Sequence, residues 1–297
     1  MQETTMTAEG EQQPDAADVA NAAAEAVATE GDDRPSDADI IAHAASIRDE
    51  QAQRPLVGSR EPLSSLMDDF VGAAPALVSK CEALAKSHSH VRRMRRDGNC
   101  FFRAFLFGLL ERLIGRPEAC AAAKKRFGDY GKKLVEAGYQ EFVFEDALEL
   151  LQECIDKCAG APGPMDESSV VTLESALCDA VTSNHLVMLL RMVASCEVSR
   201  RAEFFEPFIQ GAHDCDVESF RRRFVEPMDE ESDHVVMSAL SEAVCCAEVT
   251  VEYLSADQAA AEAIQFKAED AAQLDESCRV HMTMVYRPGH FDLLYPQ

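Results

Sequence analysis

Asp97-Gly98-Asn99-Cys100-Phe101-Phe102-Arg103-Ala104-Phe105-Leu106 runs from a tight turn straight into an apolar helix, with a cysteine at the junction. Phe102, Phe105, Leu106, Leu109, Leu110 and Leu113 recur at spacings of three and four, and Gly115 with Pro117 marks the stop. The first position of a helix is surrounded by unpaired N–H groups and carries the positive end of the dipole, which favours an anion. A thiol reacts as thiolate, so Cys100 reads as a nucleophile that is partly ionised near neutral pH. Gly98 permits a positive φ, so the turn's amides are free to face a developing oxyanion, and Asp97 and Asn99 are turn formers. The competing reading is a buried cysteine at the head of a core helix.

A second stretch weighs against that reading. Val280-His281-Met282-Thr283-Met284-Val285-Tyr286 and His290-Phe291-Asp292-Leu293-Leu294-Tyr295 are two strand-like arms joined through Arg287-Pro288-Gly289, which predicts a β-hairpin. Residues two apart on a strand share a face, so His290 and Asp292 project side by side, with Phe291, Leu293 and Tyr295 on the other side. A carboxylate beside an imidazole fixes its tautomer and stabilises the imidazolium that forms when a thiol proton is taken. Cysteine, histidine and aspartate together make a nucleophile, its base and an orienting group.

These two stretches resemble the nucleophile motif and the closing histidine motif of the otubains, ovarian-tumour-type deubiquitinating cysteine proteases. Three further blocks are similar in the same order: Gln53-Arg54-Pro55-Leu56-Val57; Glu203-Phe204-Phe205-Glu206-Pro207-Phe208-Ile209-Gln210-Gly211; and Val225-Glu226-Pro227-Met228 followed by Glu231-Ser232-Asp233-His234. The resemblance implies an α+β, papain-like cysteine protease fold of the ovarian-tumour type, with a mixed sheet packed between helices. It implies Cys100 as nucleophile, His290 as base, Asp292 as orienter and Asp97 in the oxyanion loop. It also places ubiquitin contacts at Phe205, Pro207, Phe208, Ile209 and His234, the first four in a loop running to Gly211. Expected partners are ubiquitin, polyubiquitin chains and ubiquitin-conjugating enzymes. Hydrolysis of isopeptide bonds is the expected activity; the alternative is a non-catalytic protein that grips ubiquitin or a charged conjugating enzyme (E2) and inhibits transfer. Arg96 departs from the proline common just before the family's aspartate, and Ala256 to Ser277 reads as a lengthened loop.

The formal charge of −25 over 297 residues would be repelled by nucleic acid and by anionic membranes, and it suits basic partners. Arg92, Arg93, Arg95 and Arg96 form a basic island before Asp97 that is expected to raise the local potential and favour the Cys100 thiolate. Eleven cysteines without a secretion signal point to a reducing compartment, the cytoplasm with or without the nucleus. Neither the adjacent Cys245 and Cys246 nor the i, i+4 pair Cys154 and Cys158 has the spacing of a zinc site, and the chemistry needs no metal or other cofactor. No apolar run reaches the roughly twenty residues that span a bilayer.

Residues 1–35 are acidic, alanine-rich and poor in large apolar side chains, the composition of a solvated tail. Residues 36–53 read as an amphipathic helical arm through Ile40, Ala44 and Ile47, and 54–297 as the catalytic domain. Within it, Glu118 to Glu252 is mainly helical, broken at Gly160-Ala161-Pro162-Gly163-Pro164, and the terminal strands begin at Val249.

Overall fold

A computed structural model describes Ser46 and residues 49–70, 75–254 and 262–297. The tail 1–35, and the arm 36–53 up to residue 48 apart from Ser46, lie outside the described residues. The chain divides into two units, Met1–Asp49 and Glu50–Gln297, and every element below belongs to the second.

Six strands form one sheet: β1 (Val57–Pro62), β2 (His88–Met94), β3 (Ala247–Tyr253), β4 (Glu262–Phe266), β5 (Val280–Arg287) and β6 (His290–Pro296). Their order is β1-β2-β6-β5-β3-β4, and β3 with β5 is the parallel pair in an otherwise antiparallel sheet. The helices are α1 (Ser64–Asp68), α2 (Pro75–Leu84), α3 (Cys100–Leu113), α4 (Pro117–Glu136), α5 (Glu141–Ala159), α6 (Glu167–Cys178), α7 (Ala180–Arg200), α8 (Ala202–His213), α9 (Val217–Phe220) and α10 (His234–Val244). A π-type turn, Arg221–Val225, follows α9.

One face of the sheet receives α3, because every large apolar side chain of that helix is buried. Phe101 meets Phe291 with ring centroids 5.5 Å apart. Gly108 lets the helix approach closely, since a Cβ there would lie 3.0 Å from both Leu293 and Met282. The other face is covered by a smaller apolar cluster in which Leu63, Leu66, Cys81 and Leu84 pack on Val91, Val285 and Leu294. Strand β6 is therefore buried on both sides, and its even-numbered residues share the α1/α2 face with Leu294. This is the α+β, mixed sheet packed between helices that the sequence predicts.

Two segments differ from expectation. Ala256 to Ser277 is more than a lengthened loop: 262–266 pairs with Val249–Tyr253 of β3 as an edge strand, and short 3₁₀ turns follow at Ala271–Gln273 and Glu276–Cys278. The stretch Phe205 to Gly211 is helix rather than loop, lying inside α8 despite Pro207, whose missing N–H falls on the exposed side. All eleven cysteines are free thiols. Among the described residues no helix is long and apolar enough to cross a membrane, and no group of three or more His, Cys, Asp or Glu is placed to hold a metal ion.

Candidate active site

Gly98 adopts a φ of +73°, and a Cβ there would fall 1.9 Å from the Asp229 carbonyl oxygen, so only glycine fits the turn. Asp97 shapes that turn with both carboxylate oxygens. One accepts from the Asn99 N–H at 3.0 Å, the other from Arg103 Nη2 at 2.6 Å. The Asn99 amide is thus spent, which leaves the N–H groups of Gly98 and Cys100 without an acceptor among the described residues. Cys100 is the first helical residue after the Asn99 cap.

Burial works against the anion that the helix end favours. Cys100 is 3% exposed, and its desolvation pushes the thiol up to about 12. Backbone groups of Phe291 and Phe101 pull it back, while the charges of Asp292 and Asp97 push it further up. The balance favours the neutral thiol, against the partial ionisation expected from sequence. The basic island does not change that, because each arginine with a partner is engaged elsewhere. Arg92 turns to Tyr295, Glu111 and Glu174, Arg93 to Glu61 and Asp69, and Arg95 to the Arg54 carbonyl.

The hairpin forms as predicted, with Pro288-Gly289 as its two-residue turn and Gly289 at φ +71°. His290 and Asp292 share a face. Asp292 Oδ1 accepts from His290 Nε2 at 2.7 Å and from the Met94 N–H at 2.8 Å, and Oδ2 accepts from Arg287 Nη2 at 2.5 Å. Burial alone raises the Asp292 carboxyl. The His290 hydrogen bond and charge, with those of Arg287 and Met94, outweigh it and hold the group below its ordinary value. With Nε2 engaged, His290 Nδ1 is buried and has no hydrogen-bond partner among the described residues. The Cys100 sulfur meets the backbone of Phe291, the residue between the two.

Of the predicted ubiquitin contacts, Phe205 and Ile209 are buried in the core at 1% and 0% exposure and present no surface. The reason is helical periodicity: positions 205 and 209 lie one above the other on the inner face of α8, which turns Phe204, Pro207 and Phe208 outward. Phe204 and Phe208 are about half exposed and line a groove of about 210 Å³ with His234, Ser238 and Phe266. His234 stacks on Tyr253 and shares a hydrogen bond of 3.0 Å with its hydroxyl.

Sequence reasoning missed the clamp on the Asp97–Asn99 turn. Arg191, on α7 and 1% exposed, donates to Asn99 Oδ1 at 2.8 Å and to the carbonyls of Gly98, Val225 and Glu230. Burial pushes its guanidinium down to about 10, still a cation at neutral pH. Asn99 completes the clamp: Nδ2 donates to Asp229 Oδ1 at 2.7 Å, and Oδ1 accepts the Asp229 N–H at 3.1 Å. The available signal was a lone arginine inside the apolar stripe Leu186, Leu189, Leu190, Val193, because a buried cation must find acceptors. Arg287 was visible only as part of a turn.

A cysteine heading a buried helix, held against a strand that carries a hydrogen-bonded histidine–aspartate pair, has the form of a thiol-dependent peptidase site. The family model described as Peptidase C65 Otubain matches residues 49–296. The chain belongs to the otubain family. It is 35% identical over 258 residues to an ovarian tumor domain-containing deubiquitinating enzyme 1 of Arabidopsis thaliana, covering 84% of this chain and 83% of the relative. It is 32% identical over 257 residues to the ubiquitin thioesterase OTUB1 of Homo sapiens, covering 86% and 89%. Among solved structures, h/ceOTUB1 with ubiquitin aldehyde and UBC13~Ub superposes with a TM-score of 0.71 at 27% identity, covering 87% of this chain and 97% of that one. The corresponding ceOTUB1 complex gives 0.71 at 28%, covering 86% and 98%.

Proposed function

We propose that this protein hydrolyses isopeptide bonds to the C terminus of ubiquitin, polyubiquitin chains included, with Cys100 as nucleophile, His290 as base and Asp292 as orienter. One observation carries the residue assignment: His290 is fixed through Nε2 by a buried carboxylate, its Nδ1 is unpartnered, and the strand it stands on touches the Cys100 sulfur. His290 Nδ1 takes the Cys100 proton as sulfur attacks the carbonyl of the ubiquitin C-terminal glycine. The N–H groups of Gly98 and Cys100 hold the resulting oxyanion. His290 returns the proton to the departing lysine amine, leaving a thioester. Water, deprotonated by His290, then attacks the thioester and releases ubiquitin and the thiol. Asp97 acts through the loop: its bonds to Asn99 and Arg103 set the turn that aims those amides.

On the α3 side of the hairpin a cleft of about 640 Å³ carries Asp229, Glu230, Glu231 and Asp233, a lining that suits a cationic tail approaching Cys100. Phe204, Pro207, Phe208 and His234 offer an exposed, partly aromatic face for the folded part of the same ubiquitin. A second activity, gripping a conjugating enzyme charged with ubiquitin, draws support from the solved relatives, which hold UBC13~Ub.

The test is di-ubiquitin followed by gel. Wild-type protein releases mono-ubiquitin, and neither Cys100→Ala nor His290→Ala does so at a thousandth of the wild-type rate. Chains left intact by the wild type, or cleaved by Cys100→Ala, overturn the assignment.

A further inference from the structure

Two clefts flank the hairpin that carries His290, and one of them reaches the imidazole. The acidic cleft lies on the α3 face, against Tyr286 and Phe291. Across the Pro288-Gly289 turn, on the α1 face, a larger cleft of about 710 Å³ reaches His290 and Met94 and is lined by Arg54, Arg93, Arg96 and Arg287. Four arginines on one cleft are unexpected in a chain of formal charge −25.

Two of the four are neutralised internally. Arg93 is paired with Glu61 and Asp69, and Arg287 with Asp69 and Asp292. Glu61 and Asp69 are the acids of the cleft lining, so both are spent in these pairs. Arg54 and Arg96 are exposed, and their guanidinium groups have no hydrogen-bond or ion-pair partner among the described residues. The cleft therefore presents two uncompensated cations beside the base. An isopeptide bond has two arms, the ubiquitin tail and the lysine-bearing acceptor. His290 Nδ1 takes the Cys100 proton and gives it to the departing amine, so the scissile bond sits at that nitrogen and its two arms leave in opposite directions. If the tail uses the acidic cleft, the acceptor arm lies in the arginine-lined one.

Resting on the hydrolase reading above, we propose that the cleft formed by Arg54 and Arg96 is an acceptor subsite that selects lysines flanked by carboxylate side chains. Two exposed ion pairs give modest selectivity, about threefold to tenfold in kcat/KM, and the effect falls with salt. Because the chain carries a formal charge of −25, these arginines also provide the local attraction that brings an acidic acceptor in against the net field.

The experiment uses the full chain and ubiquitin joined through its C-terminal carboxyl to the lysine ε-amine of short peptides, with glutamate, alanine or lysine flanks. A ubiquitin with a small dye leaving group serves as the substrate lacking an acceptor. Wild type is expected to prefer glutamate over lysine flanks about threefold to tenfold in kcat/KM at 50 mM salt and less than twofold at 500 mM. Arg54→Glu with Arg96→Glu is expected to reverse the order of the two flanks; as a ratio within one variant, this reading is insensitive to loss of folded protein. Hydrolysis of the dye substrate with no wild-type flank preference overturns this proposal and leaves the hydrolase reading standing. A persistent glutamate preference in the double variant overturns the assignment to Arg54 and Arg96. No dye hydrolysis at all removes the hydrolase reading and, with it, this one.

Discussion

At Cys100 two effects oppose each other. The helix end and the backbone of Phe291 and Phe101 favour the thiolate, whereas near-complete burial and the carboxylates of Asp292 and Asp97 favour the thiol, and burial is the largest. In the free protein, alkylation of Cys100 by iodoacetamide, followed by mass spectrometry of its peptide, should therefore keep rising through pH 9. A rate already at its plateau by pH 7 would mean that the thiolate forms without substrate. Asp292→Asn should cut kcat by about a hundredfold to ten-thousandfold, yet stay above His290→Ala, since the amide still offers an oxygen to Nε2 but no charge. Equal activity of both variants near wild type would show the pair to be structural. The His290–Asp292 pair was legible because strand parity puts the two side chains on one face, and the place of Cys100 at a helix start because the motif marks that start. The ionisation of Cys100 was not, because it depends on how completely segments distant in the chain exclude water from it.

Elements position these groups through contacts of long sequence separation. The Arg191–Asn99–Asp229 clamp joins α7, the nucleophile turn and the segment after the π-type turn, and Gly98 is the point of closest approach. Gly98→Ala would place a methyl group inside the Asp229 carbonyl and force a positive φ on alanine. It should lower kcat at least tenfold and destabilise by roughly 2 kcal/mol or more in chemical denaturation. Unchanged stability and activity would show that the turn can relax and that the clamp is not required. On α8, Phe208→Asp should weaken ubiquitin binding with the melting temperature nearly unmoved, whereas Phe205→Asp should unfold the helix packing, because the first side chain is exposed and the second buried. The block Glu203 to Gly211 was visible in sequence, but which of its phenylalanines face outward was not. A proline and three phenylalanines within five residues obscured the helical period that the structure shows. The edge strand β4 was hidden for a related reason: Glu262–Phe266 is short and follows an alanine-rich stretch, so its pairing comes from the length of β3 beside it.

For the molecule as a whole, the mixed sheet between two helical layers buries β6 from His290 to Tyr295, so the Asp292 carboxylate is part of the core. Asp292 has a lowered folded value against an ordinary one of 3.8. Its contribution to stability is fully present above that ordinary value and is lost as pH falls through the folded one. The melting-temperature gap between wild type and Asp292→Asn should accordingly be constant from pH 7 to about 5 and narrow toward pH 3, whereas a gap independent of pH would show that the carboxylate's charge contributes nothing to the fold. The fold class followed from the two motifs. The opposite charge of the two clefts did not, because it arises from pairing that consumes some arginines and leaves Arg54 and Arg96 free. The central claim, that Cys100 is the one nucleophile among eleven cysteines, is tested most directly by ubiquitin carrying a thiol-reactive electrophile at its C terminus, followed by peptide mapping. The account predicts a single adduct on Cys100, absent in Cys100→Ala and slowed at least tenfold in His290→Ala. An adduct on another cysteine, or none in the wild type, would contradict it.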